Sequence, residues 1–373
     1  MACRVQPLTR DEHLAFVADR PSASPLQLPS WGEVKPDWRA ESLGWRDEDG
    51  RLVGAGLVLL RPLPGLKRYL AYLPEGPLID WYAPDPAAWL DPMLAHLRRR
   101  GAFSVRMGPP VEVRRWSAEA VKAAIADPAA RRLGDVRATS YDERAAALAG
   151  RLRRMGWRRT GPGGEGGFAA GQPRYVVRVP LAGRSLEDVR AGLNQQWRRN
   201  VRKAEQAGVK VVRGDFEDLP VFYELYAETA RRDRFVPRPL PYFQRMWTAL
   251  GAEHPDRVRL YLAHHDGEVL AAAVMLTVGV HVWYSYGASS GRRREVRPGN
   301  ALQWRMLCDA HALGAAVYDL RGVTGTLEES DPLLGLLRFK VGTGGETVEY
   351  LGEWEFPLNR LLHKALGMYL ARR

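Results

Sequence analysis

Cysteine is almost absent: Cys3 and Cys308 are the only two in 373 residues. Two thiols so far apart form neither a metal-ligand pattern nor a disulfide framework, and they fit a reducing compartment. Lysine is scarce too, with seven (35, 67, 122, 203, 210, 340 and 364) among 55 basic residues. Acidic side chains number only 43, which leaves a net charge of +12. That excess calls for a polyanionic partner, whether nucleic acid, nucleotide phosphates or an anionic membrane face. No clean membrane-spanning run is present. Residues 269–288 are mostly apolar, but Gly279 interrupts them, and His281, Ser285 and two tyrosines fill the second half. About 20 cleanly apolar residues are needed to span a bilayer. With Asp266-Gly267 as a hairpin turn signal, the stretch reads as antiparallel strands near 258–264, 268–278 and 281–288. The opening MACRVQPLTRDEH has no apolar core, so no secretory signal is expected. Gly-x-Ser-x-Gly, His-Glu-x-x-His and P-loop signatures are all missing.

What is present is a globular α/β chain. Its 46% hydrophobic and 26% charged residues rule out disorder, and its length suggests two domains. Residues 159–174, RTGPGGEGGFAAGQPR, are the clearest break and mark the domain boundary. Beyond it the pattern predicts a strand at 175–179, a helix over 186–206 stopped by Gly208, and a strand at 209–212. Helices at 219–230 and 241–250 follow, then the antiparallel meander. A helix at 301–313, a strand at 316–320, a short helix at 333–339 and a strand at 347–353 complete the order. That order is the one of an N-acetyltransferase (GNAT) fold. The first half reads as a meander at 41–46, 52–61 and 68–73, a helix at 86–100 and a strand at 102–107, with helical stretches at 114–127 and 142–155. Two copies of a related α/β unit are expected.

Several segments carry candidate chemistry. Tyr318-Asp319-Leu320-Arg321-Gly322 followed by Gly335-Leu336-Leu337-Arg338-Phe339-Lys340 reads as strand, loop and short helix ending in a lysine. In so arginine-rich a chain, a lysine there suits a site that needs a compact ammonium. Between 193 and 204, Leu193, Trp197, Val201 and Ala204 form an apolar stripe, and Arg198, Arg199, Arg202 and Lys203 lie off it. That basic set reads either as a phosphate-binding face or as a solvated one. Arg231-Arg232-Asp233-Arg234-Phe235 with Arg238 suits phosphate recognition or helix-end carbonyls, and Phe235 and Tyr242 add stacking surfaces. Trp31 and Lys35 sit in an early loop or short helix. His264-His265-Asp266 falls at a hairpin tip, where polar residues are routine. An acyl-CoA site would use a Gly-rich loop at a helix N-terminus, and 296–301 is where it would lie. Val296 replaces the usual first polar residue, and Pro298 removes an N–H, so that loop is degenerate.

Taken together, these residues resemble the FemA/FemB/FemX aminoacyltransferases, the Fem ligases. The likeness runs through Gln27, Trp31-x-x-Val-Lys35, Arg61, Tyr72-x-Pro-Glu-Gly76-Pro77, Arg199-Asn200-Val201-Arg202-Lys203-Ala204 and Arg232-Asp233-x-Phe235. It ends with Tyr286-Gly-Ala-Ser289, Tyr318-Asp319-x-x-Gly322 and Gly335-Leu336-x-x-Phe339-Lys340-x-Gly. The resemblance implies two tandem GNAT-like domains, 1–165 and 166–353, facing a shared cleft, with 354–373 returning to the first. There is no room for the coiled-coil arm of larger members. It implies a cytoplasmic enzyme, with peripheral membrane contact and no integral membrane segment, that needs neither metal nor cofactor. The enzyme would move glycine, alanine or serine from aminoacyl-tRNA to the side-chain amine of UDP-MurNAc-pentapeptide or its lipid-linked form.

By the same resemblance Lys340, Tyr286 and Asp319 are the catalytic candidates. Lys35, Trp31, Arg232, Arg238, Tyr242, Tyr72 and Gly76 bind the precursor. Arg198, Arg199, Arg202, Lys203, Arg292, Arg293 and Arg294 meet tRNA phosphates. Where the family has Gly-Phe-Gly-Gly this chain has Gly342-Thr343-Gly344-Gly345. The alternatives are an acyl-CoA-dependent N-acyltransferase and a non-catalytic RNA-binding module.

Overall fold

A computed structural model of the chain describes residues 3–63, 65–160 and 171–364. Two compact units emerge. One comprises Met1–Arg115, Ser140–Arg174 and Glu349–Arg373, and the other Trp116–Thr139 and Tyr175–Val348. Residues 116–139 therefore group with the second unit, although a boundary at 165 assigns them to the first. Most of the Gly-rich segment at 159–174 lies outside the described residues.

The first unit is a sheet in the order Arg4–Pro7, Arg39–Arg46, Leu52–Leu63, Leu66–Leu73, Ala102–Met107, Trp354–Pro357 and Arg158–Arg159. Its early strands pair antiparallel. Leu66–Leu73 and Ala102–Met107 pair parallel, which requires a crossover, and the helix Ala87–Arg99 supplies it. Leu52–Leu63 is buried almost throughout its middle, the mark of a strand covered on both faces. Trp45, Trp157 and Trp354 fill the core with Met93, Leu94 and Leu97 of the helix. The stretch 114–127, expected to be helical throughout, begins as a strand. Glu112–Trp116 is a strand, and the helix Ala118–Ala126 starts only after Ser117, whose hydroxyl accepts the Ala120 amide. An N-cap serine fixes a helix start more firmly than apolar spacing does.

The second unit carries the meander Lys210–Gly214, Val258–His265, Glu268–Val278 and His281–Ser289, all antiparallel. His281–Ser289 then pairs parallel with Val317–Val323, but only through Val317, Tyr318 and Asp319. Beyond Asp319 the two strands part. Val317–Val323 continues instead against Tyr175–Pro180, with a register shift between Asp319 and Gly322. Pro298–Ala312 packs on the meander. Met306, Leu307 and Ala310 on this helix meet Ala271, Ala273 and Met275 on the sheet. The longest described helices, Leu219–Asp233 and Pro298–Ala312, are 15 residues each. The single helix expected over 186–206 is two, Leu186–Gly192 and Gln195–Gln206. Asn194 breaks it: its side chain caps the Trp197 amide, and its own amide goes to Gly342 O at 2.9 Å.

One glycine of the first unit is fixed by packing. Buried Gln27 bridges two segments, donating to Pro74 O at 2.7 Å and accepting the Leu57 amide at 3.0 Å. A Cβ on Gly76 would stand 2.3 Å from the Gln27 side-chain carbonyl carbon. Gly76→Ala is expected to displace that amide and destabilise the fold by about 1–3 kcal/mol. Combined with Gln27→Ala, the loss should fall short of the sum of the single losses. Urea denaturation of the two single variants and the double would measure this, and strict additivity would refute the bridge.

Candidate active site

The splay between His281–Ser289 and Val317–Val323 is where charge gathers. Asp319 is buried at the point of divergence, opposite Arg178 on one side and reached by His281 from the other. Arg178 Nε lies 3.4 Å and His281 Nε2 3.5 Å from its Oδ2. The His281 ring stacks flat on Trp283 at 4.0 Å. Burial opposes ionisation of Asp319, but the close approach of His281 and the Arg178 and Arg321 charges prevail and hold its carboxyl well below the usual range. Its Oδ1 also accepts the Arg321 amide at 2.6 Å. Arg321 sits at positive φ (63°), so the carboxylate ties down the irregular backbone at the register shift.

Three residues past Asp319, the carbonyl of Gly322 accepts a hydrogen bond from Lys340 Nζ at 2.8 Å. Lys340 is 4% exposed, on the helix Leu334–Val341, whose Leu334, Leu337 and Val341 enter the core. The helix is fixed from behind. Trp197 Nε1 donates to Phe339 O at 2.8 Å, and Thr343 Oγ1 donates to Lys340 O at 2.7 Å. A Cβ on Gly342 would lie 2.4 Å from the Trp197 ring, so that glycine is a packing requirement. Thr343 is buried with its hydroxyl satisfied. Burial pushes the Lys340 amine down to about 7, against the pull of Asp319 and with a further push from Arg321. The amine can therefore gain and lose a proton near neutral pH.

Tyr286 lies on the strand that diverges from Asp319. Its hydroxyl is 2.8 Å from that of Tyr242, a buried residue of the helix Leu240–Glu253. Phe243 and Tyr226 close around the Tyr286 ring edge-on, at 5.1 and 6.2 Å. Burial raises the Tyr286 phenol, while the Tyr242 hydrogen bond and the Arg238 and Arg321 charges oppose it. Arg238 lies over the Tyr242 ring at 5.6 Å. Arg232 is more committed, with both Nε and Nη2 on Asp233 and Nη1 on Ser289 O at 2.8 Å.

In the first unit Trp31 is buried in the short helix Trp31–Val34, and Lys35 follows as its C-cap. The Tyr72 hydroxyl donates to Glu353 Oε1 at 2.5 Å and accepts from Gln172 at 3.2 Å. Burial raises both groups, and the Glu353 carboxyl raises Tyr72 further. Tyr72 also packs near Trp38, with ring centroids 6.3 Å apart. Gly76 is explained by Gln27.

The seven basic residues expected to meet tRNA divide. Arg199, Arg202 and Lys203 are exposed on the helix Gln195–Gln206, with no ion-pair partner among the described residues. Arg294 is likewise exposed. Arg198 instead donates to the Ala191 and Leu193 carbonyls, which end the preceding helix. Arg292 bonds Glu268 at 2.9 Å and Arg293 bonds Asp266 at 2.7 Å, which makes them ties at a hairpin tip. Sequence reasoning passed over Arg178, His281 and Glu353. The first two reach Asp319 only through strand register, and Glu353 is 281 residues from Tyr72. At the 296–301 loop, Pro298 is buried as the first residue of its helix and offers no N–H to a ligand.

Comparison with known proteins gives a consistent picture. The FemAB family model matches residues 8–267 and 256–369. The chain is 24% identical over 433 residues to a lipid II:glycine glycyltransferase of Staphylococcus haemolyticus (strain JCSC1435), covering 96% of this chain and 94% of the relative. A protein of the same name from Staphylococcus aureus (strain MRSA252) is 23% identical over 432 residues, with the same coverage. Among solved structures, FemX aligns with a TM-score of 0.79 at 22% identity, over 97% of this chain and 99% of that one. A tandem GNAT protein from the clavulanic acid biosynthesis pathway aligns at 0.53 with 15% identity, over 95% and 98%. These two likenesses show the fold, the tandem GNAT-like architecture expected from the order of elements.

The buried lysine predicts a pH dependence of stability. An unfolded lysine ionises near 10.4, and Lys340 in the fold near 7. Between those values the unfolded chain holds the extra proton, so raising the pH favours the folded form. Below 7 the penalty of charging a buried amine is fully present. Unfolding free energy, measured relative to Lys340→Met, is expected to climb by about 4 kcal/mol between pH 7 and 10. Parallel pH profiles for the two proteins would mean that Lys340 ionises normally.

Proposed function

The chain belongs to the FemAB family, and on that premise we propose that it is a tRNA-dependent aminoacyltransferase of peptidoglycan bridge synthesis. It joins glycine, alanine or serine to the side-chain amine of a precursor stem peptide, carried on UDP-MurNAc or on lipid. Glycine and the lipid-linked acceptor lead, because the relatives bear the name lipid II:glycine glycyltransferase. The observation that carries the reading is the buried Lys340 amine, held on Gly322 O beside Asp319 at the parting of two strands. The reaction belongs at the cytoplasmic face of the membrane, with peripheral contact. Among the described residues no helix is long and apolar enough to cross a membrane.

The donor ester is already activated, so the enzyme supplies alignment, a neutral amine and stabilisation of charge. The acceptor nitrogen forms a bond to the ester carbon. The carbon–oxygen bond to the terminal ribose of the tRNA breaks, and the proton leaving the nitrogen ends on the ribose oxygen. An amine ionising near 7 is matched to move that proton. Asp319 acts through Lys340, since its charge keeps the ammonium form within reach. Tyr286, with its hydroxyl backed by Tyr242, offers a hydrogen bond to the developing oxyanion. Each unit has its own candidates for binding the precursor: Lys35, Trp31, Tyr72 and Gly76 in the first, and Tyr242, Arg232 and Arg238 in the second. Arg238 is the freer phosphate ligand of the two arginines. Arg199, Arg202, Lys203 and Arg294 take tRNA phosphates. The acyl-CoA alternative is weakened by buried Pro298 at the helix start that would cradle a pyrophosphate.

The test is transfer of labelled glycine, alanine or serine from charged tRNA to UDP-linked and lipid-linked pentapeptide in parallel. Consumption of acetyl-CoA against an amine panel, with no transfer to either precursor, would overturn the reading. Lys340→Met is expected to lower transfer at least ~100-fold with the far-ultraviolet spectrum unchanged, and wild-type turnover in that variant would remove Lys340 from the mechanism. Binding of tRNA should weaken steeply with salt. Neutralising Arg199, Arg202 and Lys203 should reduce the log–log salt slope by about one for each side chain. An unchanged slope in the triple variant would clear that face of RNA.

A further inference from the structure

The loop after the helix Leu219–Asp233 has an apolar tip ringed by arginines. Arg234 adopts a left-handed conformation (φ 57°, ψ 44°), and the Phe235 amide donates to Ala230 O at 3.1 Å. The helix end is therefore closed by a fixed cap, and the chain is turned outward. Phe235 rests one side of its ring on Tyr226, at 5.4 Å, and is 38% exposed. Val236 is 91% exposed, the most exposed large hydrophobic residue among those described. Pro237 and Pro239 flank Arg238 and limit the backbone freedom of the segment beyond the tip. Around this tip Arg231, Arg234 and Arg238 are exposed and pair with no carboxylate among the described residues. Arg232 is taken by Asp233.

The combination discriminates between partners. A nucleic-acid backbone rewards the arginines but gains nothing from a fully exposed valine. A bilayer interface rewards both. Apolar side chains enter the acyl boundary, and guanidiniums remain among headgroup phosphates while their stems lie along the apolar layer. We propose that residues 231–238 form a membrane-docking loop that inserts Val236 and Phe235 into an anionic lipid surface. The proposal deepens the functional reading by naming the surface that meets the lipid, and it rests on that reading only for the consequence that the enzyme is brought to a lipid-linked acceptor.

The experiment is sedimentation of the purified full chain with phosphatidylglycerol vesicles and with phosphatidylcholine vesicles, alongside transfer to the soluble UDP-linked acceptor. Wild type is expected to bind the phosphatidylglycerol vesicles and to leave the neutral ones. Val236→Asp should weaken that binding about tenfold, with the melting temperature and transfer to the soluble acceptor unchanged. The double variant Arg231→Gln/Arg234→Gln should weaken it on the order of 25-fold, about fivefold per arginine. Equal vesicle binding by wild type and Val236→Asp would overturn the proposal. So would a double variant that loses total tRNA yet keeps the vesicles, which would make the loop an RNA surface. Val236-dependent vesicle binding without any transfer activity would leave the docking loop standing and sink the proposed reaction instead.

Discussion

A lysine amine withdrawn from water is the constraint on which the second unit is organised. Lys340 has one hydrogen-bond acceptor, Gly322 O, and one nearby carboxylate, Asp319, among the described residues. That acceptor becomes available because the strand bearing Asp319 shifts register before Gly322. The shift in turn is held by the Asp319 carboxylate on the Arg321 amide. One carboxylate thus does two things: it stabilises an irregular backbone, and it sets how readily the neighbouring amine ionises. Arg178 and His281 keep that carboxylate charged despite its burial. The chain of dependence runs from three adjacent strands to one side chain.

The other half of the constraint is mechanical. A buried amine is useful only if its helix cannot slide, and Leu334–Val341 is only 8 residues long. Two turns of helix have little stability of their own. The support comes from Trp197, which bonds Phe339 O and packs on its ring at 4.7 Å, and from Asn194, bonded to Gly342 O. The break between Leu186–Gly192 and Gln195–Gln206 is therefore part of the site's support. Asn194 leaves the helical path so that its amide can reach Gly342 while its side chain starts the next helix.

Much of this was legible in the sequence. The meander 258–289 followed from Asp266-Gly267, Gly279 and the polar residues and tyrosines after it, and the strands end within a residue of expectation. Gly208 and Gly314, both at positive φ, stop helices as read. The misses have a common origin. Ser117 and Asn194 each sit inside an apolar spacing that fits one continuous helix, and only the cap bonds reveal the break. Arg178 and His281 look like ordinary strand residues until register sets them beside Asp319. The basic residues show the same limit. Arg198 and Arg199 are neighbours in sequence, yet one is spent on helix carbonyls and the other faces solvent.

The scarcity of lysine acquires a physical sense from these particulars. Arginine does the structural ionic work: Arg114 and Arg174 on Glu349, Arg106 on Glu355, and Arg178 on Asp319. A guanidinium suits such fixed pairs because it is planar, forked and permanently charged. For the same reason it cannot serve where a proton must come and go, since no ordinary degree of burial brings it near neutrality. An amine can be brought there by burial alone, and Lys340 is an amine buried to that extent. A chain that chooses arginine almost everywhere, and places a lysine on a core helix beside a carboxylate, has put an exchangeable cation where desolvation can tune it.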